Sequence, residues 1–326
     1  MKKVSFTVLG AVVLMISCQK NERVLNDVPQ EDEVAAVTGR KCASQEILEE
    51  QMRNDPQRAR NLEELEKKTQ AFQGRSQFRT TGKLTIPVVV NVALSNASRV
   101  DAAQINSQIA VLNRDYAKAN SELKAGIYLA GYSLDEVANC DLEFVLSNVV
   151  YKNVSGSFGT NDAVKKSTTG ISPTDPTTKL NIWVCDLSSG LLGYAQFPGG
   201  PSSTDGVVID YQAFGTTSKG FSLYPQFNSG RTATHEVGHW LNLRHIWGDR
   251  RCGSDLVDDT PLHDDANGGC PAKNLTSKCS GKPLEQWMNY MDYTDDRCMY
   301  MFTAGQKLRM DAAIDLSRKA YVTASK

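Results

Sequence analysis

Three of the four histidines in this 326-residue chain lie in one run of eleven residues, HEVGHWLNLRH, which begins at His235 and ends at His245. Residues four apart lie on the same face of an α-helix, so the imidazoles of His235 and His239 can bind one metal ion. Glu236 is adjacent to the first histidine and can reach a metal-activated water as a general base. The run therefore predicts a helix that ends soon after His239, followed by a turn.

The position of His245 makes the pattern more specific. The run resembles the metzincin signature H-E-x-x-H-x-x-G-x-x-H, in which a glycine ends the helix and the third histidine returns to the metal. Asn242 occupies the glycine position here. Because its short polar side chain tolerates positive φ, asparagine can make the same turn. We expect His235, His239 and His245 to be zinc ligands.

A second segment, NYMDY at residues 289–293, looks like the Met-turn that underlies the zinc site of metzincins. By this resemblance Met291 is an apolar floor below the metal and does not bind it. Tyr293 is placed like the tyrosine that in several metzincins binds zinc or stabilises the oxyanion. The alternative for both residues is ordinary core packing.

The flanking sequences resemble the pappalysin family of metzincins over roughly residues 80 to 320. The similar runs are HWL at residue 239, DLVDDTP at 255–261, NYMDYTDDRCMYMF at 289–302 and LLGYAQFPG at 191–199. The resemblance implies a zinc endopeptidase with Glu236 as base and acid. It also implies a cleft between an upper subdomain, with a five-stranded sheet and helices, and an irregular lower subdomain. An edge strand would pair with an extended substrate. Its substrate-binding residues would be Leu192, Gly193, Tyr194 and Ala195.

The family resemblance also suggests a calcium site near the cleft. Its ligands would be the side chains of Asp255, Asp259 and Thr260 with the carbonyl of Val257, since oxygen atoms at near-alternate positions suit calcium. The alternative is a solvated acidic loop. Some relatives favour a basic residue after the cleaved bond, for which Asp295 and Asp296 are candidate acidic groups by position alone.

The order of the predicted elements, one helix, a run of strands and a long helix, predicts an α+β or α/β sheet domain. The family resemblance implies the α+β class, with a twisted mixed sheet and helices over an irregular C-terminal subdomain. The predicted strands are residues 84–93, 142–151, 180–185, 192–197 and 207–211. A helix is expected to begin at Asp101, with Gln104 three residues on, and to bury Ile105, Ile109, Leu112 and Tyr116. We expect the catalytic domain to occupy residues 80–326, with an upper subdomain at about 80–241 and a lower one at about 242–326.

The N-terminus indicates export. Two lysines and an apolar run at residues 4–16, too short to cross a bilayer, suit a signal peptide over residues 1–17. Cys18 ends a lipobox-like MISC sequence, which predicts a lipid anchor on a bacterial outer membrane or cell surface; an incidental cysteine is the alternative. Residues 18–79 are predicted to be a linker and a helical pro-segment, interrupted at Pro56, although a solvated helix pair also fits. Cleavage near Arg79 would release the catalytic domain.

The remaining cysteines suggest a latch and three disulfides. Cys42 has basic neighbours that favour the thiolate and could occupy the fourth zinc position; an unpaired exposed thiol is the alternative. The family resemblance suggests the pairs Cys252–Cys279 and Cys270–Cys298, and Cys140–Cys185 remains by elimination. Sequence alone leaves fifteen pairings for these six cysteines. His263, outside the motif, is expected to be a surface residue.

Composition narrows the function further. The net charge of −1 provides no basic field for nucleic acid. The family resemblance implies protein or peptide substrates, and membrane contact is expected only through the anchor. A non-catalytic surface protein that keeps zinc as a scaffold remains an alternative. Glu236 separates the two, because a structural zinc site has no need for it. A zinc hydrolase acting on another substrate class is a further alternative, against which the peptide-pairing strand argues.

Overall fold

The computed structural model of the protein describes residues 1 and 37 and residues 39–73, 82–124 and 131–324. The chain divides into two units, residues 1–31 and 32–326, and the architecture below is that of the second. The predicted signal segment after Met1, Cys18 and the connector at residues 74–81 lie outside the described residues. Across the described part, every helix is too short or too polar to span a bilayer.

A mixed six-stranded sheet forms the centre of the unit. Strands β1 (Leu84–Leu94), β2 (Leu142–Asn153), β3 (Leu180–Cys185) and β5 (Val207–Asp210) run parallel in the order β2-β1-β3-β5. Strand β4 (Gly193–Ala195) pairs antiparallel with β5 at one edge, and the short β6 (Thr323–Ala324) pairs antiparallel with the start of β1. All five predicted strands occur, and the α+β fold class is confirmed; β6 was not predicted.

The alternation of side chains along the strands builds a core on each face of the sheet. Ile182 and Val184 of β3 face the larger core, whereas Trp183 and Cys185 between them face the smaller one. The larger core also receives one face of helix α3 (Ala102–Tyr116), as predicted, and part of helix α5 (Arg231–Trp240). The Asp101 side chain caps α3 by accepting the Gln104 N–H at 2.8 Å. The sheet therefore supports the helix that carries the histidine motif.

The C-terminal part of the chain is mostly irregular until helix α6 (Ala304–Ala313), as expected for a lower subdomain. The short helix α4 (Ser121–Lys124) follows α3. Near the N-terminus, helices α1 (Ser44–Asn54) and α2 (Pro56–Gln73) are separated at Pro56, as predicted. These two helices are not simply solvated, because Leu48, Leu62 and Leu65 pack on Phe197.

Two of the three suggested disulfides are present. Cys252–Cys279 and Cys270–Cys298 bridge the irregular region, with Cα separations of 5.6 and 5.7 Å. The pairing Cys140–Cys185 was wrong: both residues are buried thiols. Cys140 lies just before Leu142, which pairs with Leu84, whereas Cys185 pairs with Ala93 at the far end of the same strand. At about 3.3 Å per residue the two sites are about 30 Å apart, too far for a disulfide.

We therefore expect three alkylatable thiols between residue 37 and the C-terminus, at Cys42, Cys140 and Cys185. The measurement is iodoacetamide labelling of non-reduced protein in guanidinium, followed by peptide mapping. Cys252, Cys270, Cys279 and Cys298 should label only after reduction, which provides the internal control. A disulfide-linked peptide pair containing Cys140 and Cys185 would contradict the topology of the sheet.

Candidate active site

The three motif histidines converge on one point. His239 Nε2 lies 3.2 Å from His235 Nε2 and 3.1 Å from His245 Nε2, and all three side chains are buried. Cys42 joins them in a group whose potential ligand atoms all lie within 4.8 Å of one another. Ligands about 2.1 Å from a tetrahedral zinc ion lie about 3.4 Å apart. The spacing of the imidazoles therefore fits zinc.

The turn after α5 brings the third histidine to this point. Asn242 has a φ of 71°, as its place in the motif predicted. The Leu243 N–H donates to the Gly238 carbonyl at 2.9 Å and the Asn242 N–H to the His239 carbonyl at 2.9 Å. These two bonds form a Schellman motif, which ends the helix and reverses the chain toward His245.

The other ring nitrogen of each histidine has an acceptor. The Nδ1 atoms of His235 and His239 lie 2.7 and 2.8 Å from the carbonyl oxygens of Tyr290 and Leu243, and His245 Nδ1 bonds the Asp249 carboxylate. These acceptors place the protons on Nδ1 and leave the Nε2 lone pairs facing one another. Burial is the main cause that lowers the pKa of His235 and His239 well below its usual value. The imidazoles of His235 and His239 are thus neutral, the form that binds metal.

Met291 lies against the active-site helix. A Cβ atom on Gly238 would come within 2.5 Å of the Met291 sulfur, so only glycine permits this approach. Met291 is fully buried, and its N–H donates to the Asn289 side chain at 3.0 Å. The Tyr293 ring lies edge-on to His245 at a centroid distance of 4.9 Å. Both residues are therefore near the histidines, as the segment at 289–293 predicted.

Glu236 lies between the histidines and the edge strand β4. A Cβ on Gly193 would come within 2.9 Å of Glu236 Cγ, so glycine at this position makes room for the carboxylate. Ser44 Oγ donates to Glu236 Oε2 at 2.8 Å, and the Cys42 thiol lies 3.4 Å from the same oxygen. Burial raises the pKa of Glu236 to about 7 despite these hydrogen bonds. At neutral pH the carboxyl group can therefore both take up and release a proton.

The N-terminal segment occupies the free side of β4. Cys42 and Gly193 form a parallel bridge: the Leu192 N–H donates to the Lys41 carbonyl at 3.0 Å and the Ala43 N–H to the Gly193 carbonyl at 3.2 Å. The Ala195 N–H donates to Ser44 Oγ at 2.8 Å. Leu192, Gly193 and Ala195 thus present backbone groups to a neighbouring chain segment, while Tyr194 pairs with Val208 of β5.

The expectation that basic neighbours make Cys42 a thiolate was wrong. Lys41 points to the carbonyl of Ser189, and Arg40 points away into its own pocket. Burial, and next the negative charge of Glu236, raise the pKa of the Cys42 thiol well above its usual value. A cation held by the three histidines is the charge that would favour the thiolate.

Arg40 fills a buried pocket beside the histidines. Its Nη2 lies 2.7 Å from Asp296 Oδ1 and its Nη1 donates to Thr232 Oγ1 at 3.0 Å, while the guanidinium lies 5.0 Å from the Phe227 ring. Asp296 is therefore the acidic group of this pocket. Asp295 is not, because its carboxylate lies 3.6 Å from Arg297 instead.

The candidate calcium residues only partly converge. The Thr260 hydroxyl lies 2.9 Å from both carboxylate oxygens of Asp255 and 2.9 Å from the Val257 carbonyl. Asp259 points elsewhere: its two carboxylate oxygens accept hydrogen bonds from Thr303 and Gly305 at the start of α6. Burial raises the pKa of Asp255 to about 7. The loop thus gathers the oxygens of three of the four residues.

Several residues near the site had no signal in the sequence. Ser44 and Asp249 are single polar residues whose partners are brought close only by the fold, and Trp247 stacks on His245 at a centroid distance of 4.3 Å. The expectation of a surface position for His263 was wrong, because this residue is fully buried and its Nε2 accepts the Gln286 N–H at 3.0 Å.

Known proteins resemble this chain in sequence and structure. A family model described as pregnancy-associated plasma protein-A, peptidase M43, matches residues 159–315. An extracellular metalloprotease of Pyricularia oryzae is 33% identical over 240 residues, covering 70% of this chain and 74% of that protein. Another, from Verticillium alfalfae, is 42% identical, but the match covers 41% of this chain and only about half of that protein (49%).

Two solved structures share the fold. Promirolysin of Tannerella forsythia, solved as a point mutant, has a TM-score of 0.74 at 35% identity, covering 86% of this chain and 96% of that one. Mature mirolysin of the same organism, in complex with a cleaved peptide, has a TM-score of 0.66 at 36% identity, covering 74% and 97%. Together with the histidine geometry, these matches show that the chain belongs to the pappalysin family of metzincin zinc metallopeptidases.

Proposed function

We propose that this protein is an exported zinc endopeptidase made as a latent precursor. The observation that carries the proposal is the convergence of three imidazoles beside Glu236 and a sheet edge. An edge strand binds an extended peptide through its backbone, which suits protein or peptide substrates. Mature mirolysin, a relative, has been solved with a cleaved peptide.

The residues divide the chemistry between them. His235, His239 and His245 would hold zinc through Nε2. When bound, zinc supplies Lewis-acid activation of a water molecule and of the peptide carbonyl. The Glu236 carboxylate takes a proton from the attacking water and delivers it to the leaving amine. The Tyr293 hydroxyl, which here donates to the Cys42 carbonyl at 3.2 Å, would donate to the oxyanion of the substrate.

A zinc-containing scaffold remains the second candidate, and one observation favours it. Cys42 completes a four-residue group of the kind that structural zinc sites use. The two functions differ in what happens after the N-terminal segment is removed. A scaffold site loses a ligand and releases zinc, whereas a catalytic site keeps zinc on three histidines and gains activity.

Glu236→Gln in the processed enzyme tests the role of this carboxylate as the general base. Because the amide cannot accept the proton, kcat/KM on a quenched-fluorescence peptide should fall at least about 100-fold, while zinc measured by mass spectrometry stays near one per chain. Glu143→Gln changes a partly exposed carboxylate on β2 and provides the control. Equal activity of Glu236→Gln and wild type would refute the assigned role of Glu236.

Latency would come from the segment that lies along β4. Cys42 would be the fourth zinc ligand, Ser44 holds Glu236, and Arg40 fills the pocket of Asp296. The structural match with promirolysin spans 86% of this chain, whereas the match with mature mirolysin spans 74%. This difference supports a pro-segment before the catalytic domain. Cleavage near Arg79 would remove it.

Substitutions at three consecutive residues test this latch. Arg40→Gln removes a buried ion pair and Cys42→Ala removes the fourth ligand, so both precursors should hydrolyse peptide before processing and mature faster, as followed by N-terminal sequencing. Lys41→Gln is the matched control, since Lys41 is exposed and donates only to the Ser189 carbonyl. Faster maturation of Lys41→Gln, or none in the other two, would refute the latch.

The same pocket supports a preference for basic residues. Arg40 forms an ion pair with Asp296 while Cys42 occupies the metal position. A substrate arginine or lysine next to the cleaved bond would find the same carboxylate once the segment has left. Peptides that differ only by arginine or norleucine after the bond should therefore be cleaved at different rates, the arginine peptide faster.

Calcium would bind the loop of Asp255, Val257 and Thr260, with Asp259 as a fourth candidate after rearrangement. Burial holds the pKa of Asp255 at about 7 in the absence of a cation. Since this folded-state pKa is above the unfolded value, the metal-free protein loses stability as pH rises from about 4 to 7. A bound divalent cation would offset that loss.

We therefore expect calcium to raise the Tm of the metal-depleted protein more at pH 8 than at pH 5. Asp255→Asn should abolish the increase, and Asp258→Asn, on the exposed side of the same loop, should retain it. Differential scanning fluorimetry with calcium and with magnesium measures the effect. The same Tm with and without calcium at pH 8 would refute the proposed calcium site.

Export is supported by the extracellular metalloproteases among the relatives and by the N-terminal sequence. A lipid on Cys18 would tether the precursor to the outer membrane or cell surface. Because this anchor precedes Arg79, the cut that activates the enzyme would also release it. Active mature enzyme that still carries an acyl chain at Cys18 would contradict this coupling.

A further inference from the structure

Two arginines of the catalytic domain share one carboxylate of the N-terminal segment. Arg309 Nη2 on α6 lies 2.6 Å from Glu66 Oε1 on α2, and Arg244 Nη2 lies 3.9 Å from the same oxygen. The Asn242 side-chain amide donates to this oxygen at 3.3 Å. Glu66 therefore occupies a cationic pocket formed by residues from α6 and from the turn that follows the active-site helix.

Contacts within the catalytic domain fix Arg309, whereas Arg244 also contacts the N-terminal segment. Arg309 Nε donates to the Asn242 carbonyl at 2.6 Å. Arg244 Nη1 donates to Gln45 Oε1 of α1 at 3.4 Å, and its guanidinium lies 5.8 Å from the Phe197 ring, which in turn lies 5.3 Å from the His239 ring. The pocket therefore adjoins the histidine cluster.

The pocket has more donors than Glu66 uses. Within the described part of the chain, Arg309 Nη1 and Arg244 Nε are buried without an acceptor in hydrogen-bond range, and Arg309 is fully buried. Glu66 Oε2 is likewise buried without a partner among the described residues, so the pocket can donate hydrogen bonds beyond those that Glu66 Oε1 accepts.

Removal of the N-terminal segment would take Glu66 away and leave two adjacent guanidinium groups beside the cleft. We infer that Arg244 and Arg309 form an anion-binding subsite in the mature enzyme, which accepts the carboxylate of an acidic substrate residue. Glu66 is its internal occupant in the precursor. This inference rests on the proposed peptidase function.

The side of the cleaved bond on which the acidic residue lies depends on the direction of the substrate strand. Phe197, beside Arg244, follows the C-terminal end of β4. A substrate that pairs antiparallel to β4 would extend its N-terminal part toward Phe197, and its acidic residue would lie N-terminal to the cleaved bond. A substrate that runs parallel to β4, as the N-terminal segment does, would place the acidic residue C-terminal to the bond.

The test uses the processed enzyme and peptides with arginine after the cleaved bond. A single glutamate is moved through the four positions before the bond and the three positions after the arginine, and each peptide is compared with its glutamine counterpart. At one of these positions the glutamate peptide should have a kcat/KM about tenfold higher, the effect of one charge-assisted hydrogen bond. The ratio should fall in 0.5 M NaCl.

Arg244→Gln should lower this ratio, while Arg309, which lies 2.6 Å from Glu66 Oε1 in the precursor, should retain part of it. Lys166→Gln, which removes an exposed positive charge elsewhere, should keep the ratio and excludes a general charge effect. Arg309→Lys keeps the charge but loses the planar fork, so it should reduce the ratio in part. Thermal denaturation of each variant shows whether it is folded.

The outcomes separate this inference from the proposed function. If wild-type enzyme cleaves no peptide, the peptidase function fails. If it cleaves the peptides but the ratio is one at every position, or is unchanged in Arg244→Gln, the subsite is refuted while the peptidase function stands.

Discussion

The hydrogen bonds at the Nδ1 atoms of three histidines are the constraint on which the rest of the site depends. Each bond has an acceptor from a different part of the chain: the Tyr290 carbonyl, the Leu243 carbonyl and the Asp249 carboxylate. They orient the rings so that three Nε2 lone pairs face one point. The Schellman turn at Asn242 and the close approach of Met291 to Gly238 both serve this arrangement.

The N-terminal segment complements the cleft with its own side chains. Arg40 contacts Asp296, Cys42 contacts the histidines and Glu66 contacts Arg309, so each of these three groups of the catalytic domain has a partner of suitable chemistry. If the segment is removed as proposed, each group would be open to a ligand that resembles its present partner. The proposed basic preference and the proposed anion subsite would both follow from one principle: a latent enzyme can be blocked by an internal segment that resembles its ligands.

Much of the fold and the centre of the site followed from local pattern. The strands were recognisable because buried strands have continuous apolar runs, and the histidine helix because its ligands lie within one helical segment and one turn. The pairing of Cys140 with Cys185 failed for a physical reason: elimination takes no account of where parallel strands place their ends. The prediction of a surface position for His263 was wrong for a similar reason, because an irregular loop has no hydrophobic periodicity that would indicate which of its residues are buried.

The sequence by itself determined the metal-binding motif, the position of Glu236 beside it, the turn at Asn242 and the order of the strands along the chain, since these depend on residues close together in sequence. Only the tertiary structure decided that Cys42 reaches the histidines, that Asp296 rather than Asp295 faces Arg40, and that Glu66 neutralises Arg309. These contacts join residues about 190 to 260 positions apart. At such separations, the packing of the whole domain decides which charged and hydrogen-bonding groups come into contact. A local sequence pattern does not contain this information.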